Sequence, residues 1–95
     1  MLKIQIDGDF DSSYRELIQE NEMITREVEK RINWFRKNLD DSRLENHALR
    51  KRMKGKFAFS ITGDIRVVYE WLGKNKVRFL AIGGHNKVYV KIKKE

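Results

Sequence analysis

The chain is 95 residues long, carries a formal net charge of +7 and has no cysteine, so it has length for one hydrophobic core and is expected to form a single domain over residues 1–95. Disulfides and a Cys/His zinc site are excluded, and no apolar run approaches the roughly 20 residues that cross a bilayer. Met1-Leu2-Lys3 leads into alternation rather than a signal-peptide core, and the expectation is a soluble, cytoplasmic protein with no membrane partner, cofactor or metal.

Leu2-Lys3-Ile4-Gln5-Ile6 alternates with period two and predicts a first strand, ended by turn chemistry at Asp7-Gly8-Asp9. From Asp11-Ser12-Ser13, residue types that cap helices, the spacing becomes helical through Tyr14, Leu17 and Ile18. A second stripe, Ile24, Val28, Ile32, Phe35 and Leu39, advances by threes and fours. Two helices are expected with a break at Asn21, although one long bent helix satisfies much the same spacing. Asp40-Asp41-Ser42 ends the helical region, and the polar, basic stretch to Gly55 reads as a loop with room for a short helical turn.

Phe57, Phe59 and Ile61 alternate with Ala58 and Ser60, and Thr62-Gly63 then turns into Ile65, Val67 and Tyr69, which predicts a hairpin. A second turn at Leu72-Gly73-Lys74-Asn75-Lys76 precedes the β-prone run Val77-Arg78-Phe79-Leu80-Ala81-Ile82. Gly83-Gly84 breaks that run, and Val88-Tyr89-Val90-Lys91-Ile92 resumes alternation as an extra C-terminal strand. Strand, two helices, then three or four strands predict a two-layer α+β fold, with helices covering one face of an antiparallel-rich sheet. Parity sends Phe57, Phe59 and Ile61 to one side and Ala58 and Ser60 to the other, which leaves the second face for a ligand.

The charge is unevenly distributed. Residues 1–46 carry 8 Lys/Arg against 11 Asp/Glu, and residues 47–95 carry 13 against 3. A surface this basic in one half fits a polyanion such as a phosphate backbone, and the attraction weakens as salt rises. Arg50, Lys51, Arg52, Lys54 and Lys56 concentrate five cations in seven residues, a density that points to phosphate contact as well as to a solvated loop.

Both histidines, His47 and His85, fall in the basic half, with Asp64 and Arg66 between them. Imidazole is the side chain whose resting pKa, near 6.5, suits proton transfer at neutral pH. Such a set can cleave RNA: one group takes the ribose 2′-hydroxyl proton, a cation steadies the phosphorane, and another group protonates the leaving 5′-oxygen. Asp64 and Glu70 alone make a poor two-metal site. Each residue also has a structural role open to it. Gly63-Asp64 fits an ordinary hairpin turn, Arg66 fits a pair with Glu70 or a solvated strand face, and His47 fits a loop position or cap. His85 and Tyr89 fit edge-strand packing, Tyr69 fits the core by its parity, and Trp34 and Trp71 are better explained by packing than by base stacking.

The ordered set His47-Ala48-Leu49, Lys54-Gly55, Phe59 through Tyr69 and Ile82-Gly83-Gly84-His85-Asn86-Lys87-Val88-Tyr89 resembles the C-terminal signature of the RelE/ParE toxin superfamily, nearest to its YafQ-like branch. That signature reads as an "NHxL" element, a Lys-Gly step, an "SxxGDxRxxY" hairpin and a terminal "GxHxxxY". The resemblance covers residues 44–89, about half the chain; the N-terminal half matches only in layout. It implies the toxin of a type II toxin-antitoxin pair that cuts mRNA in the ribosomal A site, with the ribosome, mRNA and a cognate antitoxin as partners. Carried over by position, His47, Asp64 and His85 match acid-base residues, Arg66 the phosphate-steadying arginine, and Tyr89 the aromatic at the end of the site. Arg50, Lys51, Arg52, Lys54, Lys56 and Ser60 are the expected RNA contacts. Ser60 stands where the YafQ-like branch has a histidine, and a hydroxyl positions phosphate but is a poor proton carrier at neutral pH. Within the same superfamily, a ParE-like inhibitor of DNA gyrase and an inactive RNA-binding relative are the competing expectations.

Overall fold

Alternation at the N-terminus does fold as a strand, and the computed structural model, which describes residues 2–84 and Val88, places it at one edge of a five-stranded sheet. The elements in chain order are β1 (Lys3–Ile6), α1 (Gly8–Glu20), α2 (Ile24–Lys37), β2 (His47–Ala48), β3 (Lys56–Ser60), β4 (Ile65–Gly73) and β5 (Lys76–Gly84). Single 3₁₀ turns at Ser42–Leu44 and Lys51–Met53 interrupt the connection between α2 and β3. The sheet order is β1-β5-β4-β3-β2. Strands β2 to β5 are antiparallel neighbours, and β1 pairs parallel to β5 with Lys3 opposite Lys76 and Ile6 opposite Phe79. The expected two-layer α+β architecture is therefore present, with both helices on one face.

The first helix begins earlier than the capping residues predict. Asp7 occupies the N-cap position and Gly8 starts the helix, so the segment expected to be a turn is the first helical turn. This brings Phe10 into the core, 5.4 Å from the ring of Phe79. Ser13, expected to help cap the helix, is buried inside it: its hydroxyl donates to the Phe10 carbonyl and accepts the backbone N–H of Ile82, both at 3.0 Å. The register of β1 stops at Phe79, so Ile82 has run past its parallel neighbour and the helix supplies the acceptor that the strand does not. Ser13→Ala leaves that buried N–H unpaired and is expected to destabilise the domain by about 1–3 kcal/mol, read as a lower urea midpoint; an unchanged midpoint would remove this role.

The helices separate where Asn21 turns extended, with φ −153° and its N–H bonded to the Leu17 carbonyl. The second helix ends in the same manner at Asn38. Phe10, Leu17, Ile24, Val28 and Phe35 pack from the helices onto Phe59, Ile61, Val67, Tyr69, Val77, Phe79 and Ile82. Phe35 is the keystone, stacked on Phe59 at 4.4 Å and edge-on to Tyr69 at 4.9 Å.

The outer face departs from expectation in two ways. The run Val77–Ile82 does not alternate cleanly, because Leu80 is an extra residue between the pairs Tyr69 with Phe79 and Val68 with Ala81. This bulge resets the parity, so Ile82 joins the helix-side core while Ala81 stays opposite Val68 on the outer face. Gly83 and Gly84 continue the strand instead of breaking it. In addition, the face is only partly open. Met53, Ala58, Val68, Ala81 and Val88 form a second buried cluster with Leu49 and Leu80 against it. Of the expected strand over 88–92, Val88 is helical and buried; the rest lies outside the described residues.

Candidate active site

Register turns the outer face into three cross-strand rows, since directly paired residues share a face. Ser60, Arg66 and Gly83 make the first row; His47, Ala58, Val68 and Ala81 the second; Lys56, Glu70 and Arg78 the third. The middle row is apolar except for His47 at its edge. In the third, Arg78 pairs with Glu70 and the row keeps one net positive charge, so the pair with Glu70 that was one structural role open to Arg66 does not form. Polar chemistry is left to the first row and to the loops at that end of the sheet.

Arg66 donates from Nη1 to the Ser60 hydroxyl, and that hydroxyl donates in turn to Oε1 of Glu45 at 3.2 Å. Ser60 is only 2% exposed, whereas Glu45 is exposed and Arg66 half-buried, so the two bonds run from the buried hydroxyl outward to the surface. His47 follows two residues after Glu45 and lies in β2 opposite Ala58, on a strand and not in a loop. Its Nδ1 is 2.8 Å from the Glu45 carbonyl. A carbonyl only accepts, so Nδ1 carries the proton and the Nε2 lone pair of the neutral ring is the basic site. Two residues along a strand advance about 7 Å, which is the separation of the His47 row from the Ser60 row.

Asp64 lies in the β3–β4 turn, one residue before β4. Thr62 organises the turn, its hydroxyl accepting the N–H groups of Asp64 at 3.3 Å and Ile65 at 3.0 Å. The Asp64 carboxylate crosses to β5: a β-carbon placed on Gly84 would be 3.1 Å from Oδ2. Glycine at 84 thus lets the carboxylate lie against the strand immediately before His85. Among the described residues, no group of three or more His, Cys, Asp or Glu is arranged to hold a metal ion.

A comparison with protein-family models gives no match, and neither does one with curated protein sequences. Solved structures do match. YafQ from E. coli superposes with a TM-score of 0.75 at 18% identity, covering 92% of this chain and 97% of that one. A copper-bound mutant toxin from Helicobacter pylori gives 0.69 at 24%, covering 92% and 98%. A chain of the E. coli DinJ-YafQ toxin-antitoxin complex gives 0.74 at 18%, covering 93% and 97%. The chain has the RelE-type toxin fold.

Within this RelE-type fold, Ser60 and Arg66 meet in the first row, Asp64 lies in the adjoining turn against Gly84, and His47 stands one row away on the edge strand. His85 and Tyr89 lie outside the described residues. Arg50, Lys51, Arg52 and Lys54 are exposed around a loop that Met53 pins to the sheet. Lys51 at φ 57° and Gly55 at φ 93° give that loop its sharp path, and the bond from Leu49 N–H to the Lys56 carbonyl at 2.9 Å closes it. Lys56 itself stands in the third row opposite Glu70, away from the first. Trp34 packs as expected, its face covered by the Arg43 guanidinium at 3.5 Å. Arg43 also donates to Asp41 and holds that carboxyl down to about 2.

Glu45 and Asn46 are what sequence reading missed. Asn46 reaches the core, accepting the Tyr69 hydroxyl at 2.7 Å and donating to the Leu39 carbonyl at 3.2 Å. It thereby fixes the residues on either side of it, Glu45 and His47. The asparagine of the "NHxL" element was the available signal. Tyr69 is fully buried, and burial pushes its phenol from 10.0 to about 12 despite the bond to Asn46. The folded state resists ionisation of this group more than the unfolded chain does, so its stabilising contribution is complete below pH 10 and is lost as pH rises from 10 towards 12. Tyrosinate absorbance should show this late-titrating tyrosine, and Tyr69→Phe should flatten the loss of stability over that window; equal slopes in both proteins would contradict it.

Proposed function

We propose that this chain is the toxin of a type II toxin-antitoxin pair and acts as a metal-independent endoribonuclease on ribosome-bound mRNA. The observation that carries the reading is the Arg66–Ser60 pair in the first row, with Asp64 in the adjoining turn and His47 one row away, in a fold shared with YafQ. In this mechanism His47 Nε2 accepts the ribose 2′-hydroxyl proton, and the 2′-oxygen attacks the adjacent phosphorus. Arg66 offsets the charge of the phosphorane. The P–O5′ bond breaks as His85 gives a proton to the departing 5′-oxygen, leaving a 2′,3′-cyclic phosphate and a 5′-hydroxyl. Asp64, lying against Gly84, orients the segment that carries His85. Tyr89 serves as the aromatic at the end of the site, and Arg50, Lys51, Arg52, Lys54 and Lys56 steer RNA, so binding should weaken as salt rises.

The DinJ-YafQ complex supports a cognate antitoxin as the partner that silences the protein, and a cytoplasmic setting follows from a ribosomal substrate. The test is a reconstituted translation reaction with the purified chain, mapping new 5′ ends on the mRNA. Cuts at fixed codon positions that require translation are the expected result. Inhibition of gyrase supercoiling with intact mRNA would instead assign the protein to the ParE-like class, and no effect on either would indicate an inactive relative.

A further inference from the structure

We propose that Glu45 is a positioning residue for the cleavage reaction, acting on Arg66 through Ser60; this rests on the nuclease reading above. The order of the relay is forced by the donors available. A guanidinium only donates, a carboxylate only accepts, and a serine hydroxyl has one proton and two lone pairs. With Glu45 Oε1 taking the hydroxyl proton at 3.2 Å, a Ser60 lone pair is committed to Nη1 of Arg66. Were the carboxylate removed, the hydroxyl proton would have no fixed acceptor and the lone pair facing Arg66 would no longer be held in one direction. Ser60 is almost completely buried, and the exposed Glu45 side chain is what reaches its hydroxyl from the surface.

The backbone supplies an independent sign. Glu45 sits at φ 51° and ψ 39°, the left-handed region that glycine and asparagine tolerate better than glutamate. Its N–H caps the preceding 3₁₀ turn through the Ser42 carbonyl, and its own carbonyl holds the His47 ring. A glycine or asparagine would meet those backbone demands at lower strain. Only the glutamate side chain also spans to Ser60, which is a site-directed reason for strain to be tolerated. The same residue therefore fixes His47 with its main chain and Arg66 with its side chain, coupling the two groups the reaction needs.

Glu45→Asn separates these jobs, because asparagine accepts the left-handed backbone but is too short to reach Ser60. The expected result is a thermal midpoint equal to or above that of the parent, with kcat on ribosome-bound mRNA lower by about tenfold and KM within about twofold. Glu45→Gln keeps an acceptor oxygen and should lose less than about threefold. Combining Glu45→Asn with Ser60→Ala should cost no more than the larger single change, since both break one relay. NMR of the Arg66 guanidinium nitrogens provides a readout that needs no activity: Glu45→Asn should shift those resonances and speed their proton exchange. If the parent protein does not cleave RNA but the resonances shift, the nuclease reading fails and the relay stands. Unchanged Arg66 resonances, parent-like kcat in Glu45→Asn, or additive losses in the double variant would overturn the proposal.

Discussion

Arg66→Ala is expected to lower the rate of translation-dependent mRNA cleavage by about 10²–10³-fold, the usual cost of removing a preorganised charge from a developing oxyanion. The size follows from how the guanidinium is held. It is half-buried at the first row of the outer face, opposite Ser60 on one strand and Gly83 on the other, and anchored by the Ser60 hydroxyl. Arg66→Lys retains the charge but not the planar fork and should fall between the parent and alanine. The side chain lies outside the helix-side core, so urea unfolding should move by less than about 1 kcal/mol. Cleavage by Arg66→Ala within about threefold of the parent, with the protein folded, would be incompatible with a phosphate-steadying role.

The second large effect is on stability. Phe35→Ala should destabilise the domain by about 3–5 kcal/mol, a large share of the roughly 5–15 kcal/mol that holds a typical domain together. Phe35 is fully buried and its ring meets Phe59, Tyr69 and Phe79 at 4.4, 4.9 and 5.8 Å, so one side chain of α2 joins three strands. A cavity there removes both the apolar burial and the offset aromatic contacts. Urea denaturation monitored by far-UV circular dichroism gives the measurement. A loss below about 1 kcal/mol would mean that the helix layer is fastened elsewhere.

Much of this architecture was legible in the sequence because period decides it. Ile24, Val28 and Phe35 at helical spacing, and Phe57, Phe59, Ile61 and Val67 at period two, all reach the core their patterns predict. What period does not encode was misread. Ser13 looked like a cap because serine often is one, and its long-range bond to Ile82 has no local signature. The Leu80 bulge shifts parity within an apolar run, where either face looks equally suitable. The outer face looked open because Met53 is a lone apolar residue among cations, and only the folded loop shows it pressed onto Val68 and Ala81. At the candidate site, family motifs pointed to Asp64 and Arg66 and their hairpin is formed, whereas Glu45 belongs to no motif and emerged only from its reach to Ser60.

The parallel pairing of β1 with β5 also bears on how the protein is made. Residues 3–6 find their partners at 76–79, so the sheet closes only after β5 has been synthesised, a non-local closure that slows folding. The first row of the outer face draws on Ser60, Arg66 and Gly83, so a nascent chain halted before β5 has no complete site. For a protein proposed to attack messages on ribosomes, that delay would keep each molecule harmless to the ribosome producing it until β5 has been made and paired.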